Sequence, residues 1–504
     1  MKKIKYLWLL PLFAGLTACD VNNTIDEVPE ATVIEIPLST GSADFSKFVA
    51  VGNSLTAGYA DGSLFQAGQV NSFPNIMSQM MANGGGGTFM QPMMNDNIGG
   101  LLIGGARYPD GAFGPRLYFN GAGPALLPGN PTTETTNILS GSFNNMGVPG
   151  AKSFHLLAPG YGNVANISAG LANPYFVRFA SSPNATVIGD AMAQSPTFFS
   201  LWIGNNDVLG YATSGGDGSD PITDPTVFAQ AYTALISTLT SGGAKGVVAN
   251  IPDVTSIPYF TTVPYNPVPM DAATSGALNA QLLGPVIQIL TLYGQPNRLS
   301  LLEASSNNPL MIVDETLLNL SAEISGALQA GGVPLAQAEL MGNLYGRARH
   351  ATSADLITLP SSSLIGTTEP GIPAPFNTRG VTFPFQDKNV LIPSEQMAIS
   401  DATTLYNNTI LSLASANGLA HFDANGLMTQ LSTTGLEFDN FTVTSNLVFG
   451  GAFSLDGVHL TARGYAFVAN KMFDAIDLTY GSNFKESNNV AKAVNYPTNF
   501  PPGI

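Results

Sequence analysis

Cysteine is almost absent from this 504-residue chain, in which Cys19 stands alone. A single thiol excludes an intramolecular disulfide and any metal site built from several thiolates, so stability has to come from the core. Histidine is scarce as well. His155, His350, His421 and His459 lie far apart and none forms a ligand-spaced pair, which removes the usual sequence grounds for metal-assisted hydrolysis. Only 10% of the residues are charged and positive charge is the scarcer kind, with 18 Lys and Arg against 34 Asp and Glu for a formal net charge of −16. Such a field opposes phosphate backbones, and no basic cluster offsets it, so nucleic acid is not an expected partner. No apolar run reaches the roughly 20 residues of a membrane-spanning helix. The glycine clusters at residues 84–87 and 99–100 follow no strand and make no dinucleotide fingerprint, and no cofactor is expected. A G-x-S-x-G elbow is missing too.

What the chain does carry begins at its first residues. Lys2, Lys3 and Lys5 precede a short apolar run that ends in small residues and Cys19, the order of a secretory signal. Leu16-Thr17-Ala18-Cys19 resembles the bacterial lipobox. That resemblance implies removal of residues 1–18 and acyl chains on the Cys19 sulfur and nitrogen, more than one chain being what makes membrane attachment stable. It also implies a place in the cell envelope, at the outer membrane or surface of a Gram-negative bacterium. The plain alternative is an incidental thiol at the end of an ordinary signal. Residues 19–44 are acidic and lack a helical period, as a tether between lipid and globular domain would be.

With 44% hydrophobic residues, the remainder is long enough to bury a large core. Residues 48–51, 198–203, 246–251 and 419–422 are short apolar runs ending in polar or glycine-containing sequence, and they read as buried strands. Helical patterns lie between them. Asp224-Pro225 offers an N-cap and first-turn proline, with Phe228, Ala231, Leu235 and Leu239 on one face. Residues 400–418 repeat that design with Leu405, Ile410, Leu413 and Ala414 toward a core, and Thr461 caps a last helix carrying Phe467, Phe473 and Ile476. Alternating strands and helices predict an α/β fold with a mainly parallel sheet. One domain is expected over residues 45–480, interrupted by Gly- and Pro-rich insertions at about 84–140 and 258–395, with residues 481–504 as a tail.

Four short elements bear chemistry. Gly52-Asn53-Ser54-Leu55 places a serine just past an apolar strand, where its plainest role is to cap a helix. Asn145 to Ala151 turns on Gly147 and Gly150, either of which brings a backbone N–H close to a reacting group. Gly204-Asn205-Asn206-Asp207 puts amides and a carboxylate at another strand end, a composition common in turns for backbone reasons. Asp456-Gly457-Val458-His459 lets an aspartate reach Nδ1 of the histidine three residues on, leaving Nε2 for a hydroxyl. As a lone motif it is ordinarily a solvated loop pair.

Taken together and in this order, the four resemble the conserved blocks of the SGNH (GDSL-like) hydrolases, over residues 48–476. The resemblance implies a three-layer α/β/α, flavodoxin-like fold and a carboxylic ester hydrolase. It assigns Ser54 as nucleophile, His459 as base and Asp456 as its orienter, with the Ser54 N–H, the Gly150 N–H and the Asn206 amide as an oxyanion hole. Asp207 then stabilises a turn. Asn53 departs from the pattern, which has aspartate there, so altered hydrogen bonding beside Ser54 is expected with the chemistry retained. Gly147, three residues from Gly150, competes for its role.

The chemistry agrees with those assignments, since a serine hydroxyl needs a base and the tetrahedral intermediate needs donors already in place. No motif chooses among ester substrates. A lipid or short acyl ester is the leading reading, and the Met-rich residues 77–94 either line an acyl pocket or pack the core. Acetyl groups on glycans come second. The rival of another class is a surface lipoprotein that binds carbohydrate or protein on a hydrolase scaffold.

Overall fold

The apolar runs anticipated as buried strands pair with one another in a computed structural model, which describes residues 36–504. Cys19, the signal at residues 1–18 and most of the proposed tether lie outside the described residues. Five strands form one parallel sheet: β1 (Phe48–Gly52), β2 (Asn145–Gly147), β3 (Phe198–Trp202), β4 (Lys245–Ala249) and β5 (Ala420–Phe422), in the order β5-β4-β3-β1-β2. Every residue of β1 and β3 is buried, as expected of strands covered on both faces. The strand that sequence reading did not anticipate is β2. Asn and Gly are poor strand formers, and this segment is held instead by register, Ala50 facing Asn145 and Gly52 facing Gly147, and by Asn145 Nδ2 donating to the Thr56 carbonyl at 2.9 Å.

Seven helices matter to the argument: α1 (Ser54–Ala57), α2 (Phe73–Ala82), α3 (Asn206–Thr213), α4 (Pro225–Thr240), α5 (Pro393–Ala416), α6 (Ala424–Thr433) and α7 (Ala462–Tyr480). Asp224 caps α4 by accepting from the Thr226 and Val227 N–H groups, and Phe228, Ala231, Leu235 and Leu239 are all buried. Thr461 caps α7 in the same way through Gly464 N–H, and Phe467, Phe473 and Ile476 are buried. In α5 the sequence reading needs two corrections. The helix starts at Pro393 rather than near residue 400, because proline fits its first turn and Glu395 at the third position accepts from the Ile392 N–H. Leu405 points outward and is half exposed, since Ile399, Ala402, Tyr406, Ile410 and Ala414 set the buried stripe and the residue before Tyr406 lies about 100° off it. Tyr406 stacks on Phe228 of α4 with ring centroids 4.1 Å apart. Helix α7 packs on α2 and β5.

The two interruptions differ in character. Residues 84–140 form small hairpins, Leu102–Ile103 with Ala106–Arg107 and Leu117–Phe119 with Pro124–Leu126. Residues 258–395 are no mere loop insertion. They hold helices including Gly284–Leu292, Ser321–Ala330 and Leu335–Tyr345, and two apolar cores of their own, one around Leu290, Ile324 and Tyr345 and one around Ile312, Phe385 and Val390. Among the described residues, no helix is long and apolar enough to cross a membrane.

A compact unit runs from Leu38 to Ile504, so it takes in the last residues of the proposed tether and the C-terminal tail. Phe484 in the tail stacks on Phe473 of α7, centroids 4.2 Å apart. The fully buried Arg116 ties the far end: its guanidinium donates to the carbonyls of Asn97 (2.9 Å), Phe500 (3.1 Å) and Pro501 (2.7 Å). Two of those acceptors belong to the last five residues. Deleting residues 500–504 therefore leaves a buried cation short of partners and should lower stability by about 1–3 kcal/mol, measured by urea unfolding. An unchanged midpoint would mean that water replaces the tail at no cost.

Candidate active site

Parallel strands deliver their carboxyl ends to one edge of the sheet, and ligands of such sheets gather where the strand order reverses. Here the chain runs from β1 to β2 on one side and then returns to β3 on the other, so the reversal lies between β1 and β3. Ser54 follows β1 and Asn206 follows β3. The turn after β1 is held by Asn53, whose Oδ1 accepts the Leu55 N–H at 3.0 Å while its Nδ2 donates to Asn205 Oδ1 at 3.1 Å. Asparagine thus caps α1 and bonds across to the neighbouring turn. An aspartate keeps the cap but has no hydrogen for Asn205, which is the altered bonding expected beside Ser54.

The three residues assigned from the sequence as a triad meet. His459 Nε2 lies 2.8 Å from Ser54 Oγ, and His459 Nδ1 lies 2.9 Å from Asp456 Oδ2. Asp456 is surrounded by donors. Its Oδ1 accepts from the Val458 and His459 N–H groups, both at 2.8 Å, and from Ser454 Oγ at 3.1 Å, while Oδ2 also accepts the Gly62 N–H at 2.8 Å. Burial alone would raise its pKa. The charge of His459 and the hydrogen bonds from His459 and Val458 outweigh burial and hold Asp456 well below the usual carboxylate range.

The assigned oxyanion donors are arranged around the same turn. Asn206 Nδ2 spends one hydrogen on the Ala151 carbonyl at 2.9 Å and keeps the second for another acceptor at the cleft it lines. Among the described residues, the N–H groups of Ser54 and Gly150 have no acceptor. Gly147 is different. Its N–H is committed to Asn145 Oδ1 at 3.0 Å, and a Cβ there would collide with the backbone of Thr56 and Ala57, so its glycine serves the packing of β2 on α1. Gly150 instead sits at φ +80° in an exposed turn. The Asp207 carboxylate bonds away from its own turn: it accepts from the Ser153 N–H and Ser153 Oγ, both at 2.8 Å, and so fixes the segment after Gly150 to the start of α3.

Sequence reading missed the segment that follows α1. The Tyr59 ring lies against His459, centroids 4.5 Å apart, and Tyr59 Oη donates to the Gly62 carbonyl at 2.6 Å. Asp61 donates its N–H to Ser454 Oγ at 2.9 Å and accepts the Leu455 N–H at 3.0 Å, which clasps the histidine loop from outside. Only the Asp-Gly turn composition marked this stretch, and nothing in it pointed to a partner almost 400 residues away. Asp61 is buried and its Oδ2 has no hydrogen-bond partner. Burial, opposed by the Leu455 N–H and reinforced by the Asp456 charge, pushes it up to about 7.

From Ser54 and Asn206 a narrow cleft, open to solvent, runs between α6 and α7. Past the polar mouth its walls are apolar, with Leu55, Ile257, Met428, Leu431, Val443 and Phe467 among them. None of the Met-rich residues 77–94 lines it; Met77 and Met81 belong to the main core and Met94 to a smaller cluster with Tyr175. Compared with family models and with curated proteins, the chain matches none.

The state of Asp61 is open to test. Its folded pKa is raised above the unfolded value of about 3.9, so the stability it contributes is complete below pH 4 and is lost as pH rises through 7. Asparagine stays neutral throughout. Relative to wild type, Asp61→Asn should gain ~2–4 kcal/mol between pH 4 and pH 8 in chemical unfolding. A difference that stays constant with pH would show Asp61 to be ionised over the whole range.

Proposed function

We propose that this chain is a carboxylic ester hydrolase of the SGNH (GDSL-like) family, working through Ser54, His459 and Asp456 and an acyl-enzyme intermediate. The observation that carries the reading is the unbroken relay Ser54 Oγ–His459 Nε2 and His459 Nδ1–Asp456 Oδ2, at 2.8 and 2.9 Å, at the mouth of a cleft. A three-layer α/β/α, flavodoxin-like architecture belongs to the same reading and is supported by the strand order, which numbers 2-1-3-4-5 from the β2 edge. Lipid attachment at Cys19 and a place in the cell envelope complete it.

In this mechanism His459 accepts the Ser54 proton as Oγ attacks the acyl carbonyl. The developing oxyanion meets the N–H groups of Ser54 and Gly150 and the second amide hydrogen of Asn206, donors that need no rearrangement. His459 returns its proton to the departing alkoxide. Water, deprotonated by the same histidine, then attacks the acyl carbonyl, and the imidazolium gives that proton to Ser54 Oγ as the acid leaves. Asp456, kept ionised by its donors, holds the imidazole with Nδ1 protonated and steadies the imidazolium in each half-reaction.

The cleft favours an acyl chain over an acetyl group on a glycan. Acetyl would leave most of an apolar wall without a partner, whereas each methylene buried there contributes about 0.8 kcal/mol. An all-polar glycan finds few hydrogen-bond partners beyond Asn53, Ser54, Asn205, Asn206 and His459.

On p-nitrophenyl esters, kcat/KM should climb from acetate to octanoate by up to ~4-fold per methylene, and Ser54→Ala should abolish turnover without loss of fold. Asn206→Ala should lower kcat by ~10²–10³-fold. Leu431→Trp, which fills the wall, should remove the preference for long chains while acetate turnover stays within about threefold. A flat chain-length profile turns the substrate reading toward acetyl esters. Equal inertness of folded wild type and Ser54→Ala on every ester would bring forward the binding lipoprotein instead.

A further inference from the structure

Away from the cleft, three acidic side chains from separate segments converge: Glu315 in the turn after the strand Met311–Val313, Asp387 in the short turn Asp387–Asn389, and Glu395 in the first turn of α5. One carboxylate oxygen from each lies within 4.8 Å of the others. Among the described residues no lysine or arginine is ion-paired with any of the three. Their neighbours are already engaged. Asp314 is paired with Arg349 at 2.6 Å, and Asp217 accepts from Ser219.

Glu395 makes the cluster more than an acidic patch. It is 4% exposed, and while Oε2 accepts the Ile392 N–H at 2.7 Å, Oε1 has no hydrogen-bond partner. An ionised carboxylate with a buried oxygen that lacks a donor is costly unless a cation meets it or a proton neutralises it. Backbone closes the site on one side. A Cβ on Gly216 would collide with Glu395 Oε1 and one on Gly215 with the Asp387 backbone carbonyl, so the loop leaving α3 lies directly against the Glu395 carboxylate and the Asp387 main chain.

We propose that Glu315, Asp387 and Glu395 bind a Ca²⁺ ion that fastens the second insertion to the first turn of α5. The donor chemistry selects a hard cation, since every ligand is a carboxylate oxygen and no histidine or cysteine joins the set. Ca²⁺ takes six to eight oxygens at about 2.3–2.6 Å in irregular geometry, and a set of three carboxylates suits it. Mg²⁺ demands a near-octahedral shell at about 2.0–2.1 Å and is usually held by one or two carboxylates with several waters. Glu315, the exposed member, leaves a side where water fills the remaining positions. The insertion that holds Glu315 and Asp387 also reaches the histidine loop, through the Tyr259 N–H, which donates to the Gly457 carbonyl at 3.0 Å.

Isothermal titration of Ca²⁺ into the chelator-treated protein tests this, with no ester present, so its outcome is separate from that of the hydrolase reading. One ion per chain is expected, with Kd of ~1 mM or tighter, and the thermal midpoint should rise by a few degrees at saturating Ca²⁺. Glu395→Gln and Asp387→Asn should abolish binding. Glu315→Gln, at an exposed position that spares the fold, should weaken it at least ~10-fold. Absence of binding up to 10 mM Ca²⁺ by the folded wild type would overturn the proposal. So would an unchanged Kd in folded Glu315→Gln together with either Glu395→Gln or Asp387→Asn.

Discussion

The arrangement at the cleft depends on keeping one carboxylate, Asp456, ionised where little solvent reaches it. Uncompensated, a buried charge would be neutralised by uptake of a proton. Compensation comes from five donors, of which Ser454, Val458 and His459 supply four and Gly62 the fifth. The histidine loop satisfies most of this by curling around its own aspartate, and the curl puts Nδ1 where it must be. The Gly62 N–H matters for another reason. It arrives from the segment that follows α1, the helix on which Ser54 is the first residue. The same bond that shields Asp456 therefore sets the helix of Ser54 in register with the loop of His459, although the two are far apart in the chain.

A second carboxylate sits beside the first, and the two resolve their repulsion by diverging. Asp456 has donors on both oxygens and is held low, whereas Asp61 has a donor on one oxygen only and is pushed up to about 7. Two like charges this close do not both persist when one can be relieved by a proton. Arg116 and His459 pull Asp61 down, but less than burial and the Leu455 N–H decide between them. Asp61 thus serves as a neutral strut over the histidine loop for much of the acidic range, and the charge that orients His459 is left to Asp456 alone.

Legibility from sequence followed the range of the interactions. Strands β1 and β3 were readable because both faces are buried and the apolar run is continuous, and β4 and β5 because a short apolar run stops at polar sequence. Helices α4 and α7 were readable from caps that act over three residues. Strand β2 was not, since Asn145 and Gly147 are there for what they touch across the sheet, and the outward turn of Leu405 reflects a stripe fixed by a helix start that lay inside a presumed insertion. Ser54, Asn206 and the Asp456–His459 pair announce themselves by local motif. Asp61 and Gly62 do not, because their partners come from the other end of the chain. The cores within residues 258–395 went unseen for a related reason: their apolar stripes are short and diluted by Ser, Thr and Gly, and only their mutual packing makes them cores.

The two carboxylate clusters of this molecule face the same electrostatic problem with different means at hand. Around Asp456, backbone and hydroxyl donors and the adjacent imidazole absorb one charge, and the second carboxylate yields. Around Glu395 the backbone has contributed a single donor, the Ile392 N–H, and the nearest loop offers glycine backbone without a cationic side chain. A proton would neutralise only one carboxylate at a time. A divalent cation relieves all three at once and uses the geometry already present, which is why the inference rests on the unmet oxygen rather than on the count of acids. Sequence could not announce it, because Glu315 stands far in the chain from Asp387 and Glu395 and no ligand spacing links them.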